Sequence, residues 1–363
     1  METVVHVNGS VDHIELDKYR SNHLLISVGH ELRTYSLENG RMSVIVGNQN
    51  KESSYREGPG TTVYFEQITG FAQTSNDFVV VVSTWEHCLR SVTRQNATTK
   101  VFAGECKSGG FSNGKWDYAH FNRPFKIIQD AKNHTTLFVT DGANIQVRTV
   151  NTNTRTVGSL VTMGNSSEDE PYGIAQDKSG GDLYITTRHK VYRYVYESSG
   201  ELQLVSGTTS GFLDNSLLQA MYKGMREIIV LSNTTLLVAD WGNNRLRQLD
   251  LTYETTSSFC DGTRQSTDGV LRTCQLKDVR SVVFERGSVY VGESDGIRGV
   301  NLSSSMAVKG NTTSAANSPC TLHPLGTDSS TNATFSQGGS AISSVGRKTE
   351  YSLTIYFGLY HCS

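Results

Sequence analysis

The chain has 363 residues, and its 33 Lys+Arg and 35 Asp+Glu leave a formal net charge of −2. That near-neutral balance argues against a nucleic-acid footprint, a polybasic membrane surface and charge-driven disorder. The longest apolar run, residues 78–82, is far shorter than the roughly 18 residues of a membrane span, so the composition indicates a globular protein.

A pair of strands recurs along the chain: a short apolar strand, a few polar residues, and then an alternating strand. Successive pairs begin roughly 45 to 65 residues apart, which is typical of four-stranded β-propeller blades and too long for leucine-rich or ankyrin repeats. Helical periodicity is nearly absent. In chain order the predicted pairs are 24–28 with 32–35, 78–82 with 88–92, 137–140 with 145–150, 183–186 with 191–195, 236–239 with 245–251 and 289–292 with 296–302, and residues 353–357 begin a seventh.

The remaining strands complete the repeat. Residues 43–47, 99–104 and 201–207 each form an alternating strand that ends in glycine, and residues 2–9 resemble a fourth strand with no sheet of its own. Pairing this N-terminal strand with the C-terminal strands would remove the exposed edges of a ring. We therefore predict an all-β fold, a single propeller domain over residues 1–363 with four-stranded antiparallel blades. Seven blades are favoured, six are the alternative, and the N- and C-terminal strands close the ring.

Two of the predicted units resemble an NHL repeat. Residues 119–124 lead to residues 137–148 in the third unit, and residues 236–247 repeat the second part of this pattern in the fifth. The shared features are a Phe-Asn-x-Pro-like start, an apolar strand ending in Asp, a short loop with Asn and a strand bearing Arg. The second unit matches through residues 85–90. The resemblance spans nearly the whole chain and implies a propeller, often six-bladed, but it implies little about chemistry because one fold hosts unrelated activities.

The cysteines indicate an oxidising compartment. None of the six forms Cys-x-x-Cys, so zinc-ribbon and thioredoxin-like sites are not expected. An even number with two close pairs suits disulfides, although six cysteines allow 15 pairings and six free thiols remain the alternative. Cys88 can reach Cys106, and Cys260 can reach Cys274. The other two predicted disulfide cysteines are Cys320 and Cys362.

Eight Asn-x-Ser/Thr sequons point to the same compartment. Each lies in or beside a turn-like stretch, where a glycan can stay in solvent. We therefore expect an extracellular protein, secreted or at the cell surface, that meets a membrane only through segments outside this chain. The predicted glycosylation sites are Asn8, Asn96, Asn133, Asn165, Asn233, Asn301, Asn311 and Asn332.

No catalytic motif stands out, since the chain lacks a Gly-x-Ser-x-Gly elbow, a His-Glu-x-x-His pair, a P-loop and a Gly-x-Gly-x-x-Gly loop. Asp141 and Asp240 end strands, and we expect them to bind loop amides and the side chains of Arg148 and Arg247. We expect no enzyme and no cofactor. Two alternatives stay open: a calcium ion in the central channel, and a metal-dependent lyase or hydrolase working there.

The tryptophans suggest where a ligand binds. Trp85 and Trp241 fall in loops between second and third strands, and Trp116 falls in a loop between blades. These two kinds of loop share one face of a propeller, and tryptophan is enriched at binding hot spots. We therefore predict that the three form a recognition surface for a protein, peptide or glycan, in a receptor or adhesion protein. The alternative is that each packs under its own loop, in a propeller that is only a structural spacer.

Overall fold

The computed structural model describes residues 1–49, 56–74, 78–260, 262, 265–269, 274–285 and 287–301. These residues all belong to one compact unit, Met1–Met306. The described part of the chain contains 26 β-strands and no α-helix, which confirms the all-β prediction. Its only helices are single 3₁₀ turns at Gly60–Thr62, Trp116–Tyr118, Gly142–Asn144, Ser167–Asp169, Leu217–Gln219 and Trp241–Asn243.

The strands form antiparallel sheets, and each sheet runs from an innermost strand near the axis to an outermost strand. The first sheet consists, in that order, of β2 (Val11–Leu16), β3 (His23–Val28), β4 (Glu31–Ser36) and β5 (Met42–Gly47). The second consists of β7 (Ile68–Gln73), β8 (Phe78–Ser83), β9 (Cys88–Thr93) and β10 (Thr98–Ala103), with the short β6 (Gly58–Pro59) at its outer edge. The third consists of β12 (Pro124–Gln129), β13 (Thr136–Asp141), β14 (Gln146–Asn151) and β15 (Thr156–Thr162), with β11 (Gly114–Lys115) outermost.

The other three sheets have four strands each. The fourth consists of β16 (Ile174–Gln176), β17 (Leu183–Thr186), β18 (Val191–Tyr194) and β19 (Leu202–Ser206). The fifth consists of β20 (Met225–Ser232), β21 (Thr235–Asp240), β22 (Arg245–Asp250) and β23 (Thr255–Phe259). The sixth consists of β24 (Ser281–Glu285), β25 (Ser288–Gly292), β26 (Gly296–Asn301) and, as its fourth strand, β1 (Glu2–His6).

The described residues therefore form six blades, and the favoured count of seven was wrong. The reason is the position of β1, which supplies the fourth strand of the sixth sheet, with Glu2 opposite Gly299 and His6 opposite Gly296. The innermost strands contact one another in the order β2, β7, β12, β16, β20 and β24, and β24 also contacts β2. The predicted strand at 353–357 and its pairing with the N-terminal strand lie outside the described residues. The single domain over residues 1–363 stays a prediction for the same reason.

Packing between neighbouring sheets supplies the hydrophobic core. The second strand of each sheet is the most apolar because both of its faces are covered; all but the first residue of β8 are buried, for example. Phe121 and Phe102 pack between the second and third sheets, and Tyr222 and Leu217 pack between the fourth and fifth. A single sheet cannot bury the apolar side chains on its own faces, so each sheet depends on its neighbours for stability.

Glycines end the outermost strands where the chain leaves for the next sheet. Gly47 has φ +99° and Gly207 has φ +96°, in the region that favours glycine. A Cβ at Gly47 would lie 2.2 Å from the carbonyl oxygen of His30, and one at Gly207 would lie 2.1 Å from that of His189. The glycine-capped strands predicted from the sequence are therefore required by close backbone contact.

Candidate functional site

The strand order divides the loops between two faces of the propeller. We call the front face the one that carries the loops between second and third strands and the links from one sheet to the next. The back face carries the other two kinds of loop. Because strands alternate in direction, residues far apart in the chain share a face, and the candidate site is built on the front face.

Buried Asp–Asn–Arg braces hold two front-face links in place. In the fifth sheet, Asp240 Oδ2 accepts hydrogen bonds of 2.8 Å from both Asn243 Nδ2 and Arg247 Nη1. Asn243 also donates to the Gly211 carbonyl at 2.7 Å, and Arg247 donates to the Leu213 carbonyl at 2.8 Å. The brace thereby ties the link before the fifth sheet to the loop after β21.

The third sheet contains the same brace. Asp141 Oδ2 accepts hydrogen bonds of 2.8 Å from Asn144 Nδ2 and Arg148 Nη1. Asn144 donates to the Gly110 carbonyl, and Arg148 donates to the Ser112 carbonyl, each at 2.8 Å. The two carboxylates therefore have the structural partners that the sequence predicted for them. In both braces every donor of the short Asn side chain is used to position a loop.

Both predicted disulfides that fall on described cysteines are present. Cys88 is bonded to Cys106 and Cys260 to Cys274, with Cα–Cα distances of 5.0 and 4.6 Å. Each ties a front-face link to the sheet before it, which limits the conformations that the link can adopt. Cys320 and Cys362 lie outside the described residues.

Two of the predicted binding tryptophans, Trp85 and Trp116, lie in different environments outside the cavity described below. Trp85 is 49% exposed, and its indole Nε1 donates to Gln67 Oε1 at 2.9 Å. Trp116 packs against Phe102 with ring centroids 4.3 Å apart, and its backbone N–H donates to the carbonyl of Arg155 in a back-face turn. The Trp116 carbonyl also accepts a hydrogen bond from the backbone N–H of Gly104, just after β10, so Trp116 lies at the outer edge between the second and third sheets.

The structure does not bring these three rings together. Trp85 belongs to the second sheet and Trp241 to the fifth, which are three places apart among six and so lie on opposite sides of the axis. Within the described residues no contact joins any two of the three rings. A shared binding role for Trp85, Trp116 and Trp241 stays a prediction.

A front-face cavity of about 430 Å³ opens beside Trp241. Its wall comes from the link before the fourth sheet, the second loop of that sheet, the link before the fifth sheet, the first residues of β20 and the loop after β21. The links and loops are front-face segments, and β20 begins at the same face. The lining residues are Glu168, Tyr172, Arg188, His189, Ser210, Lys223, Gly224, Met225, Arg226 and Trp241.

Most charged groups around the cavity are already paired. Arg188 Nη2 lies 3.3 Å from Glu170 Oε2, which also accepts a 2.9 Å hydrogen bond from the Tyr172 hydroxyl. His189 Nε2 lies 3.2 Å from Glu168 Oε2. Burial lowers the pKa of His189, although Glu168 opposes the shift, so the imidazole is mainly neutral at physiological pH. The paired acids leave Lys223 and Arg226 as the remaining cations of the wall.

Arg226 is the least balanced of these cations. Its Cζ lies 4.5 Å from the ring centroid of Trp241 and 5.5 Å from that of Phe125. Burial, and then the charge of Arg280, lower the pKa of Arg226. Arg280 itself is paired with Asp12 at 2.9 Å. Sequence reasoning missed Arg226 because a lone arginine at the start of an inner strand has no motif; only its position beside Trp241 singles it out.

The propeller axis is occupied by a buried charged cluster. Lys126 Nζ of the third sheet lies 2.5 Å from Glu227 Oε2 of the fifth and 2.8 Å from His13 Nδ1 of the first. Burial alone would raise the pKa of Glu227, but Lys126 and then His13 outweigh it and hold that pKa below the ordinary value. The cluster joins three alternate sheets at the centre.

The described sequons are all accessible. The exposed asparagines Asn96, Asn133 and Asn233 lie in back-face loops, whereas Asn8 and Asn165 lie in links of the front face. Both front-face sites are outside the cavity wall. Their glycosylation stays a prediction. The side chain of Asn301, and all of Asn311 and Asn332, lie outside the described residues.

The described part of the chain contains neither a metal-binding cluster nor a membrane-spanning helix. No group of three or more His, Cys, Asp and Glu residues there is arranged to hold a metal ion. No helix in the same residues has the length and apolar character needed to cross a bilayer. Channel calcium and the channel lyase or hydrolase stay alternatives that these observations do not test.

No family model and no curated protein matches the chain, but many solved structures share its fold. An auxiliary nutrient binding protein from Bacteroides thetaiotaomicron has a TM-score of 0.64 at 16% identity, over 80% of this chain and 69% of that one. A chain of a nidogen/laminin complex has a TM-score of 0.52 at 13% identity, over 70% and 82%. Streptogramin B lyase has a TM-score of 0.52 at 11% identity, over 82% and 94%.

These similarities establish the β-propeller fold. At such low identity they do not transfer an activity, and the three proteins themselves differ, since one is named for nutrient binding and another is a lyase. Membership of the NHL family stays a prediction. The function must therefore be argued from the cavity.

Proposed function

We propose that this protein is an extracellular β-propeller that binds a ligand in the front-face cavity between the fourth and fifth sheets. We further propose that it is a module of a secreted or cell-surface receptor or adhesion protein. The ligand is a protein, a peptide or a glycan that places one group in the cavity.

The observation that carries this proposal is the cavity wall itself. Buried polar groups that serve only the fold have hydrogen-bond partners, as the two braces do. Lys223, which is exposed, and Arg226, which is half-buried, line the cavity, and among the described residues neither side chain has a hydrogen-bond acceptor or a carboxylate partner. A concave site with a few convergent polar groups beside an aromatic ring is the usual form of a ligand pocket. Trp241, predicted from the sequence, belongs to this wall.

Two observations support the extracellular location. The disulfides Cys88–Cys106 and Cys260–Cys274 suit an oxidising compartment. The asparagines of all five sequons whose side chains the structure describes are exposed, as glycan attachment requires.

A pair of serine substitutions tests the site. Ser210→Trp places a large ring at the cavity wall, whereas Ser199→Trp places the same ring in an exposed back-face turn of the fourth sheet. We would screen the wild-type protein by surface plasmon resonance against secreted ectodomains, peptides and glycans, and then measure each ligand against both variants. We expect Ser210→Trp to weaken binding at least tenfold, a loss of about 1.4 kcal/mol, and Ser199→Trp to leave it unchanged. Equal binding by all three proteins would show that the ligand site lies elsewhere.

A further inference from the structure

Arg226 lies over two aromatic rings and has unused donors. Its Cζ is 5.5 Å from the ring centroid of Phe125 and 4.5 Å from that of Trp241, and cation–π contacts of this kind do not use the N–H donors of the group. Among the described residues Arg226 makes no hydrogen bond and no ion pair with the protein. Arg226 is half-buried, so its five N–H donors face the cavity without a protein acceptor and are available to a ligand.

Other arginines of the propeller show what a structural role requires. Arg148 and Arg247 are fully buried, and each donates to a carboxylate and to loop carbonyls. Arg90 donates to the carbonyls of Tyr64 and Arg56, both at 2.6 Å. Arg226 differs from all three because, among the described residues, its side chain lies against ring faces and has no hydrogen-bond acceptor in the protein. Its donors therefore remain available to a ligand.

The charges around the cavity favour a negatively charged group. Arg188, Lys223 and Arg226 are cationic lining residues, and Glu168 is the anionic one. Glu170, just behind the wall, is already shared by Arg123, Arg188 and Tyr172. The lining therefore carries an excess of positive charge, which favours an anionic group over a neutral one.

Resting on the proposed function, we propose that the cavity recognises a carboxylate group on a ligand of monosaccharide or amino-acid size. A carboxylate presents two coplanar oxygens, which match two parallel N–H donors of a guanidinium. Lys223 adds a mobile ammonium that approaches from the exposed side. A volume of about 430 Å³ lies near the lower end of ligand pockets and suits a small acidic group.

The same carboxylate can come from an acidic sugar or an acidic amino acid, and the probes distinguish these sources. We would titrate the folded wild-type protein with glucuronate and glucose, and with N-acetylglutamate and N-acetylglutamine, at constant ionic strength. Inorganic phosphate is the third anion. The readout is the indole N–H resonance of Trp241 in ¹H–¹⁵N spectra, assigned with Trp241→Phe, because Arg226 covers that ring.

Two arginine variants supply the matched test. Arg226→Gln removes the proposed carboxylate contact. Arg155→Gln removes an arginine that lies over the other half-buried indole, that of Trp116, at 5.7 Å and outside the cavity. Arg226→Lys keeps the charge but not the planar fork. Circular dichroism and thermal unfolding establish that each variant is folded before it is titrated.

We expect at least one acid to shift the Trp241 resonance saturably and to bind at least tenfold more tightly than its neutral partner. Arg226→Gln should abolish that preference, Arg226→Lys should reduce it, and Arg155→Gln should preserve it. The proposal would be overturned if an acid and its neutral partner bound with equal affinity, or if phosphate bound more tightly than either acid. It would also be overturned if neither acid shifted the Trp241 resonance at concentrations up to about 10 mM. The serine variants and ectodomain screen could still succeed in that case, so the two proposals fail separately.

Discussion

The charged cluster on the propeller axis allows a quantitative test of how the sheets are held together. Lys126→Met removes the ammonium that lies 2.5 Å from Glu227 Oε2, where the two side chains are 1% and 4% exposed. The carboxylate of Glu227 then stays buried with His13 as its remaining partner, at 2.8 Å. Removing one member of a buried ion pair typically costs about 3–5 kcal/mol because the other charge is left uncompensated.

The same cost can be expressed as a change in melting temperature. The entropy of unfolding is about 2.1 cal/mol/K per residue, so this destabilisation lowers the melting temperature of a propeller of roughly 300 residues by about 5–8 °C. Circular dichroism at neutral pH measures the shift. Lys132→Met is the matched control, because Lys132 pairs with Glu197 on the surface, where both side chains are 50% exposed. An exposed pair contributes at most about 1 kcal/mol, so this variant should melt within about 2 °C of the wild type.

A double variant separates the pair from the individual side chains. The double variant Lys126→Met/Glu227→Leu removes both charges of the pair, so neither position keeps an uncompensated charge. Its loss of unfolding free energy should be smaller than the sum of the two single-variant losses by at least about 2 kcal/mol. If Lys126→Met costs no more than Lys132→Met, or if the double variant shows simple additivity, the cluster does not join the sheets in the way described.

Three further predictions concern the braces, the sixth sheet and a disulfide. Asn243→Ala and Asn144→Ala each remove two equivalent hydrogen bonds and should each cost about 1–3 kcal/mol in urea unfolding; clearly unequal losses would contradict their equivalence. Burial raises the pKa of Glu293 to about 7 from 4.5, so its contribution to stability is full below about pH 4.5 and is lost as the pH rises through 7. Glu293→Gln should therefore gain up to about 3 kcal/mol relative to wild type between pH 5 and pH 8, and a pH-independent difference would refute this. Replacing both Cys88 and Cys106 by Ser opens a link between residues 18 apart and should cost about 3 kcal/mol; an unchanged melting temperature would exclude that contribution.

The local features of this protein could be predicted because they depend on residues close together in the chain. Apolar runs such as 78–82 become second strands wherever both faces of a sheet are covered. Asp240 and Arg247 lie on neighbouring strands joined by a short loop, so their contact follows from one hairpin. Cys260 and Cys274 are likewise separated by only 14 residues.

The blade count and the site could not be predicted in this way. The N-terminal strand was correctly predicted to be a fourth strand, but its partner depended on which distant edge it met, and β26 was that edge. Likewise, the sequence indicated which loops carry Trp85 and Trp241, but only the count of six sheets put the two on opposite sides of the axis.

The sequence by itself determined the repeating strands, the braces and the stapled links, since hydrogen bonding and burial within one hairpin or one link decide them. The tertiary structure decided the cavity, because Arg188, Lys223 and Trp241 come from separate front-face segments that meet only when the fourth and fifth sheets pack. It also decided the role we propose for Arg226. Whether a guanidinium has an acceptor is a property of its surroundings in space, and no spacing along the chain encodes it.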